Sequence, residues 1–185
     1  VAAASQAAGQ DFRGPFRLCP GVPQPPAPIS NTAEPMKVFD NLYFVGIPAV
    51  SAWAITTSDG IIVIDSLNNA REAETFIEGG LRKLGLDPTL VKYVLITHAH
   101  VDHFGGAQYL ADKLHAQLVM SETDWNFIAT VQPSANPNRG PIPKRGMSVK
   151  DGEKLMLGDT AIEIYETPPH TPGTASWTRP RVPRP

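Results

Sequence analysis

Cysteine is nearly missing from this chain of 185 residues: Cys19 stands alone. That excludes an intrachain disulfide, and its place in a Pro-rich segment far from the histidines sets it apart from any metal site. No apolar run approaches the roughly 20 residues that a membrane-spanning helix needs. A surplus of either charge sign is missing too. The 16 Lys and Arg face 18 Asp and Glu for a formal charge of -2, so nothing marks a nucleic acid as partner. What remains is a chain that is 42% hydrophobic and can bury one sizeable core. Histidine is also scarce, with five in all, yet three of them crowd one loop.

That loop is Thr97-His98-Ala99-His100-Val101-Asp102-His103, and four candidate metal ligands in six positions point to a metal site. Upstream, Val91 to Ile96 is a short apolar, β-branched run after the turn signal Asp87-Pro88, which predicts a buried strand. Residues two apart on extended chain point the same way, so His98 and His100 can reach one ion together. Asp102 and His103 follow a turn, at the entrance of a helix predicted from about Phe104-Gly105-Gly106 to Leu114, and aim elsewhere. The loop suits two adjacent cations as well as one. Imidazole with carboxylate favours zinc among first-row metals.

The run His98-Ala99-His100-Val101-Asp102-His103, followed by Gly105-Gly106, resembles the His-x-His-x-Asp-His signature of the metallo-β-lactamase fold superfamily. The resemblance continues through Asn41 to Gly46, the hairpin from Ala54 to Asp65, the strand from Gly158 to Tyr165 and the loop Thr167-Pro168-Pro169-His170-Thr171-Pro172-Gly173. It implies an α/β (α+β) fold, a four-layer αββα sandwich with one or two zinc ions at one edge of the sheets. It assigns His98, His100 and His170 to one zinc and Asp102 and His103 to the other, with Asp65 fixing a ligand imidazole from behind. Three nitrogens leave a fourth position open for water, as in catalytic zinc sites. The implied catalytic residues are His98, His100 and Asp102, the last orienting the attacking hydroxide. Pro169 stands where the family's pattern has glycine, and a need for positive φ there would displace His170.

Within that family the absence of a zinc-ligand cysteine and the Lys144-Arg145 segment look most like the third subclass of class B β-lactamases. The implied reaction is opening of a β-lactam ring by zinc-bound hydroxide, on a small substrate that is a β-lactam or a related cyclic amide or ester. Lactonases and thioesterases share the signature. A catalytically silent zinc-binding fragment is the reading from another class.

The rest of the chain is read more coarsely. Ala73, Phe76, Ile77, Leu81 and Leu84 recur at helical spacing between Asn69 and Leu84, with Gly85 as a stop and Glu78 and Arg82 one turn apart. Gln117 to Met120 reads as a strand and Glu122 to Ile128 as a short helix. Between Gln132 and Gly146 a Pro-rich loop carries Arg139, Lys144 and Arg145, and it reads equally as a border of the substrate site or as a solvated basic loop. His115, late in the helix predicted to end near Leu114, is read as a solvated residue outside the site.

Residues 1 to 35 are expected to form a Pro-rich arm, with seven prolines from Pro15 to Pro35, and residues 36–177 the folded domain. The small-residue start without an initiator Met matches the neighbourhood of a signal-peptide cleavage site, hence an expected periplasmic or secreted location. Residues 178–185 hold three arginines and three prolines and read as a non-native tail. Because the family pattern continues beyond its third histidine loop to a further ligand histidine, the chain is expected to be C-terminally truncated. Its first zinc site should then bind more strongly than its second, and uncovered sheet edges should favour self-association.

Overall fold

The computed structural model describes residues 33–178. The arm expected over residues 1–35 lies, apart from its last three residues, outside the described residues, as does the tail from 179 onward. Thr178 closes the last strand.

Seven strands form one sheet in sequence order: β1 (Met36–Phe39), β2 (Leu42–Phe44), β3 (Trp53–Thr57), β4 (Gly60–Ile64), β5 (Val91–Leu95), β6 (Gln117–Ser121) and β7 (Met147–Val149). The first four pair antiparallel through short connections. From β4 to β7 the pairs are parallel, because helical crossovers now join successive strands. A second, antiparallel sheet holds β8 (Lys154–Leu157), β9 (Thr160–Glu166) and β10 (Ala175–Thr178) in the order β10-β9-β8.

Alternation along the central strands divides the core in two. On β4, Ile61 and Val63 face the helices, while Ile62 and Ile64 face the second sheet. On β6, Leu118 and Met120 take the helical side and Val119 the other. A strand covered on both faces must be apolar throughout, and all five residues of β4 are buried. Each of these aliphatic side chains contributes about 1.5–3 kcal/mol relative to exposure.

The helical side is built by α1 (Ala70–Glu72), a π-helical stretch (Ala73–Glu78), α2 (Gly79–Lys83), α3 (Val101–Phe104), α4 (Ala107–Leu114) and α5 (Glu122–Ile128). Asn69 caps the first of these, its side chain accepting from the Glu72 amide at 3.0 Å. Ala73, Ile77 and Leu81 pack into the core as the periodicity predicts. The π-helical turn was not legible, and in it Glu78 is fully buried. Its carboxylate accepts from Arg82 at 2.8 Å and from the Tyr109 hydroxyl at 2.8 Å.

The layers are therefore helices, large sheet, small sheet. Among the described residues no helix covers the outer face of the small sheet, where Met156 and Tyr165 are exposed. No helix of the described residues is long and apolar enough to cross a membrane.

Candidate metal centre

The site grows from the end of β5. After Leu95 the chain leaves the sheet, and Thr97, His98 and His100 cross its carboxyl edge, where an open parallel sheet offers a crevice. The helix predicted to start near Phe104 starts earlier, at Val101, so Asp102 and His103 lie within α3 rather than before it. The predicted single helix is broken at Gly105-Gly106. A Cβ on Gly105 would stand 2.0 Å from the Asn68 carbonyl oxygen, and one on Gly106 2.3 Å from that of Ser66. Only glycine lets this junction press against the turn after β4.

That turn carries Asp65. Its backbone is left-handed at φ 61°, as is Leu67 at 63°, a conformation that costs a non-glycine residue about 1–3 kcal/mol. The strained turn aims one carboxylate at the ligand loop. Asp65 Oδ1 accepts from the Thr97 amide at 2.8 Å, and Oδ2 accepts from the Thr97 hydroxyl at 2.9 Å and meets His103 Nδ1 at 2.8 Å.

Those bonds decide the tautomers. The Thr97 hydroxyl gives its only proton to Asp65, so at the 2.8 Å contact with His98 Nδ1 it must accept. His98 therefore carries its proton on Nδ1 and presents the Nε2 lone pair. His103 likewise donates from Nδ1 to Asp65 and presents Nε2, 3.8 Å from Asp102 Oδ2. Of the buried side-chain nitrogens and oxygens among the described residues, His98 Nε2 is the one without a hydrogen-bond partner.

His170 arrives from the small sheet, on the loop between β9 and β10. Its Nε2 lies 3.0 Å from His100 Nδ1, and its ring centroid is 4.6 Å from that of His98. Pro169, joined to Pro168 by a cis peptide bond, does not displace it. One nitrogen from each of His98, His100 and His170 falls within 4.8 Å of the others. Two nitrogens held at about 2.0–2.1 Å by a tetrahedral zinc stand about 3.3 Å apart, close to the His100–His170 spacing. The buried Nε2 without a partner and the three converging imidazoles fit a metal ion.

Protonation favours ligation at the first two. Burial, and then the neighbouring His103, His100 and His170, push the His98 pKa down to about 3. His98 is thus neutral at pH 7, as a ligand must be. Burial and then His170 lower His100 as well. For His103, burial opposes the charged form, but the Asp65 hydrogen bond and charge, helped by Asp102, outweigh it and raise the pKa. Burial also raises Asp65, a shift toward the neutral pair that conflicts with the rise of His103. Three donors converging on one carboxylate support an ionised Asp65.

Three further residues hold the loops. Ser121, Asp124 and Thr171 are all buried, and Asp124 hydrogen-bonds to both histidine-bearing segments. Sequence reading passed them over, because Ser121-Glu122-Thr123-Asp124 has the form of an ordinary helix cap. His115 is exposed and left-handed at the end of α4, away from this centre as expected.

The loop from Gln132 to Gly146 does border the site. A cavity of about 290 Å³ opens beside His100, walled by Val101, Phe104, Phe127, Val131 and Ile142. Arg139 is engaged by Asn68, and Arg145 donates to Asn126 at 2.8 Å and Ser148 at 3.1 Å.

The sequence profile described as the Metallo-beta-lactamase superfamily matches residues 45–182. The chain belongs to that superfamily. Its fold is similar to BJP-1, a subclass B3 metallo-beta-lactamase of Bradyrhizobium japonicum, with TM-score 0.72 and 32% identity over 80% of this chain and 57% of that one. It is also similar to the metallo-beta-lactamase MIM-1 from Novosphingobium pentaromativorans, with TM-score 0.69 and 32% identity over 80% of this chain and 56% of that one. A probable metallo-hydrolase of Bacillus subtilis, YybB, is 25% identical over 67% of this chain and 54% of its own length. A hydroxyacylglutathione hydrolase of Mesorhizobium japonicum is 29% identical over 58% of this chain and 35% of its own. The chain spans about half or less of the length of these curated relatives.

Proposed function

We propose that this chain carries the metal-binding part of a zinc-dependent hydrolase that opens β-lactam rings. The observation that carries the reading is His98 Nε2, buried, without a partner and flanked by His100 and His170. His98, His100 and His170 would hold the first ion. Asp102 and His103 would contribute to a second, weaker site, since they supply only two groups among the described residues. A zinc ion held there supplies Lewis acidity, polarising a carbonyl and lowering the pKa of a water.

The chain's own groups do the rest. Asp65 and Thr97 hold the His98 and His103 rings with Nε2 outward, so the ligand atoms need no reorganisation. Asp102, its side chain 37% exposed, would orient the attacking water or hydroxide through a carboxylate oxygen. The apolar cavity beside His100 would take the hydrophobic body of a small substrate and exclude water from it.

The 32% identity to the subclass B3 structure BJP-1 over four fifths of the chain supports the β-lactam. The hydroxyacylglutathione hydrolases among the relatives, 28–30% identical, favour a second reading, hydrolysis of a thioester. Zinc per chain, measured by mass spectrometry, together with turnover of a chromogenic cephalosporin, a lactone and a thioester, separates them. Hydrolysis of the cephalosporin that disappears in His98→Ala supports the first reading. A preference for the thioester replaces it with the second, zinc without any turnover indicates a silent binding module, and turnover that survives His98→Ala sinks the zinc-enzyme reading.

A further inference from the structure

Asp124 sits on α5, in neither ligand-bearing loop, yet it touches both. Its Oδ2 accepts from the Ala99 amide at 2.8 Å, and Ala99 is the residue between His98 and His100. The same oxygen accepts from the Thr171 hydroxyl at 2.5 Å, and Thr171 follows His170. Its Oδ1 accepts from the Gly173 amide at 2.7 Å. The side chain is wholly buried, so no water competes for these bonds, and a buried carboxylate requires them.

The surroundings close the clamp. Ser121 Oγ donates to the Gly173 carbonyl at 2.7 Å and accepts from the Asp124 amide at 3.0 Å. A Cβ on Gly173 would meet Ser121 Oγ at 2.3 Å and the Asp124 nitrogen at 2.6 Å. The His170 loop therefore rests directly on the start of α5. Thr174 Oγ1 in turn accepts from the Thr171 amide at 2.7 Å, which fixes the backbone just after His170.

We infer that Asp124 is the positioning residue of the metal centre: through Ala99 on one side and Thr171 and Gly173 on the other, it sets the distance between the His98–His100 pair and His170. It does not touch the ion. It spans the two sheets' contributions, which no covalent segment shorter than the chain from Ala99 to Thr171 connects. The inference rests on the proposed three-histidine site and names the device that assembles it.

The test uses the metal ion alone, with no substrate. Zinc affinity of the 185-residue chain is measured by competition with a chromophoric chelator, and the visible spectrum of the cobalt-loaded form reports ligand geometry. Thr171→Val keeps the volume and deletes one bond to Asp124 together with the 2.8 Å contact to the Thr174 hydroxyl, and is expected to weaken zinc binding by about tenfold, the value of a lost charge-assisted hydrogen bond, and to shift the cobalt bands. Asp124→Asn should do more, about 10–100-fold. The decisive measurement repeats Thr171→Val in a His170→Ala background, where one ion is held by His98 and His100 without the second loop. There the loss should fall below twofold. Equal losses in both backgrounds, or none in the first, would overturn the role given to Asp124. If the unmutated chain takes up no zinc, it is the three-histidine site itself that fails.

Discussion

The loop that carries His98 and the loop that carries His170 bring imidazoles to one point by different physical means. The first leaves β5 from inside the large sheet, with His98 buried and its ring oriented by Thr97 and Asp65. The second spans β9 to β10 at the rim of the small sheet, where His170 is exposed and its ring nitrogen meets another imidazole. One imidazole is held by its own neighbours along the chain and the strained turn behind them. The other is held by the seating of a whole loop on α5. Orientation from behind and seating from below are separate levers, and mutations should separate them.

The largest effect is expected at the ligands. His98→Ala should abolish zinc uptake at equimolar metal, since it removes the pre-oriented nitrogen, whereas His170→Ala should leave weaker binding by His98 and His100. Titration of both variants by calorimetry checks this, and equal losses would erase the distinction between the loops. Next comes the support behind the first loop. Asp65→Ala should weaken zinc binding by about 10–100-fold and cost about 1–3 kcal/mol of stability, because the Thr97 amide and His103 Nδ1 lose their acceptor. Urea denaturation of the metal-free protein reads the second number.

Gly173→Ala probes the seating of the other loop. Its Cβ has no room against Ser121, and the strain should cost about 1–3 kcal/mol while lowering zinc affinity less than Asp65→Ala does. A Gly173→Ala protein as stable as the parent would show that the loop is not pressed on α5.

The smallest effect lies at the opposite end of β5, where Asp87 caps a short turn. Hydrogen bonds from the Thr89 amide, at 2.9 Å, and hydroxyl, at 2.8 Å, lower its pKa from the ordinary value of 3.8. A carboxylate depressed in the folded state adds stability that is present above pH 3.8 and is lost as pH falls below it. Asp87→Asn should thus be slightly less stable than the parent at pH 6, with the gap closing toward pH 3, and its zinc affinity at neutral pH should be unchanged. Denaturation midpoints across that range test the first part. A change in zinc affinity would mean that both ends of β5 communicate.

Legibility followed the same division. The buried strand before the motif, the helix over Asn69 to Leu84, the strand at Gln117 and α5 all stood where apolar periodicity placed them, because burial on one or two faces imposes that periodicity directly. The convergence of His98 and His100 was legible for a similar reason: the two are neighbours along the chain. The π-helical turn around Glu78 and the helix break at Gly105-Gly106 were not. Both are settled by what packs against them, Tyr109 and Arg82 in one case and the carbonyls of Asn68 and Ser66 in the other. Asp124 was invisible for the most instructive reason, since a carboxylate three residues into a helix looks like a cap.

The amino-acid sequence by itself determined the individual strands and helices and the crowding of His98, His100 and His103, since alternation, turn residues and residue spacing are properties of short stretches. Only the tertiary structure decided that His170 would stand 3.0 Å from His100, that a left-handed Asp65 would choose the tautomers, and that α5 would hold the two loops in register. Those outcomes depend on contacts between segments 25 to 70 residues apart, and such contacts exist only once two sheets and a helix have packed.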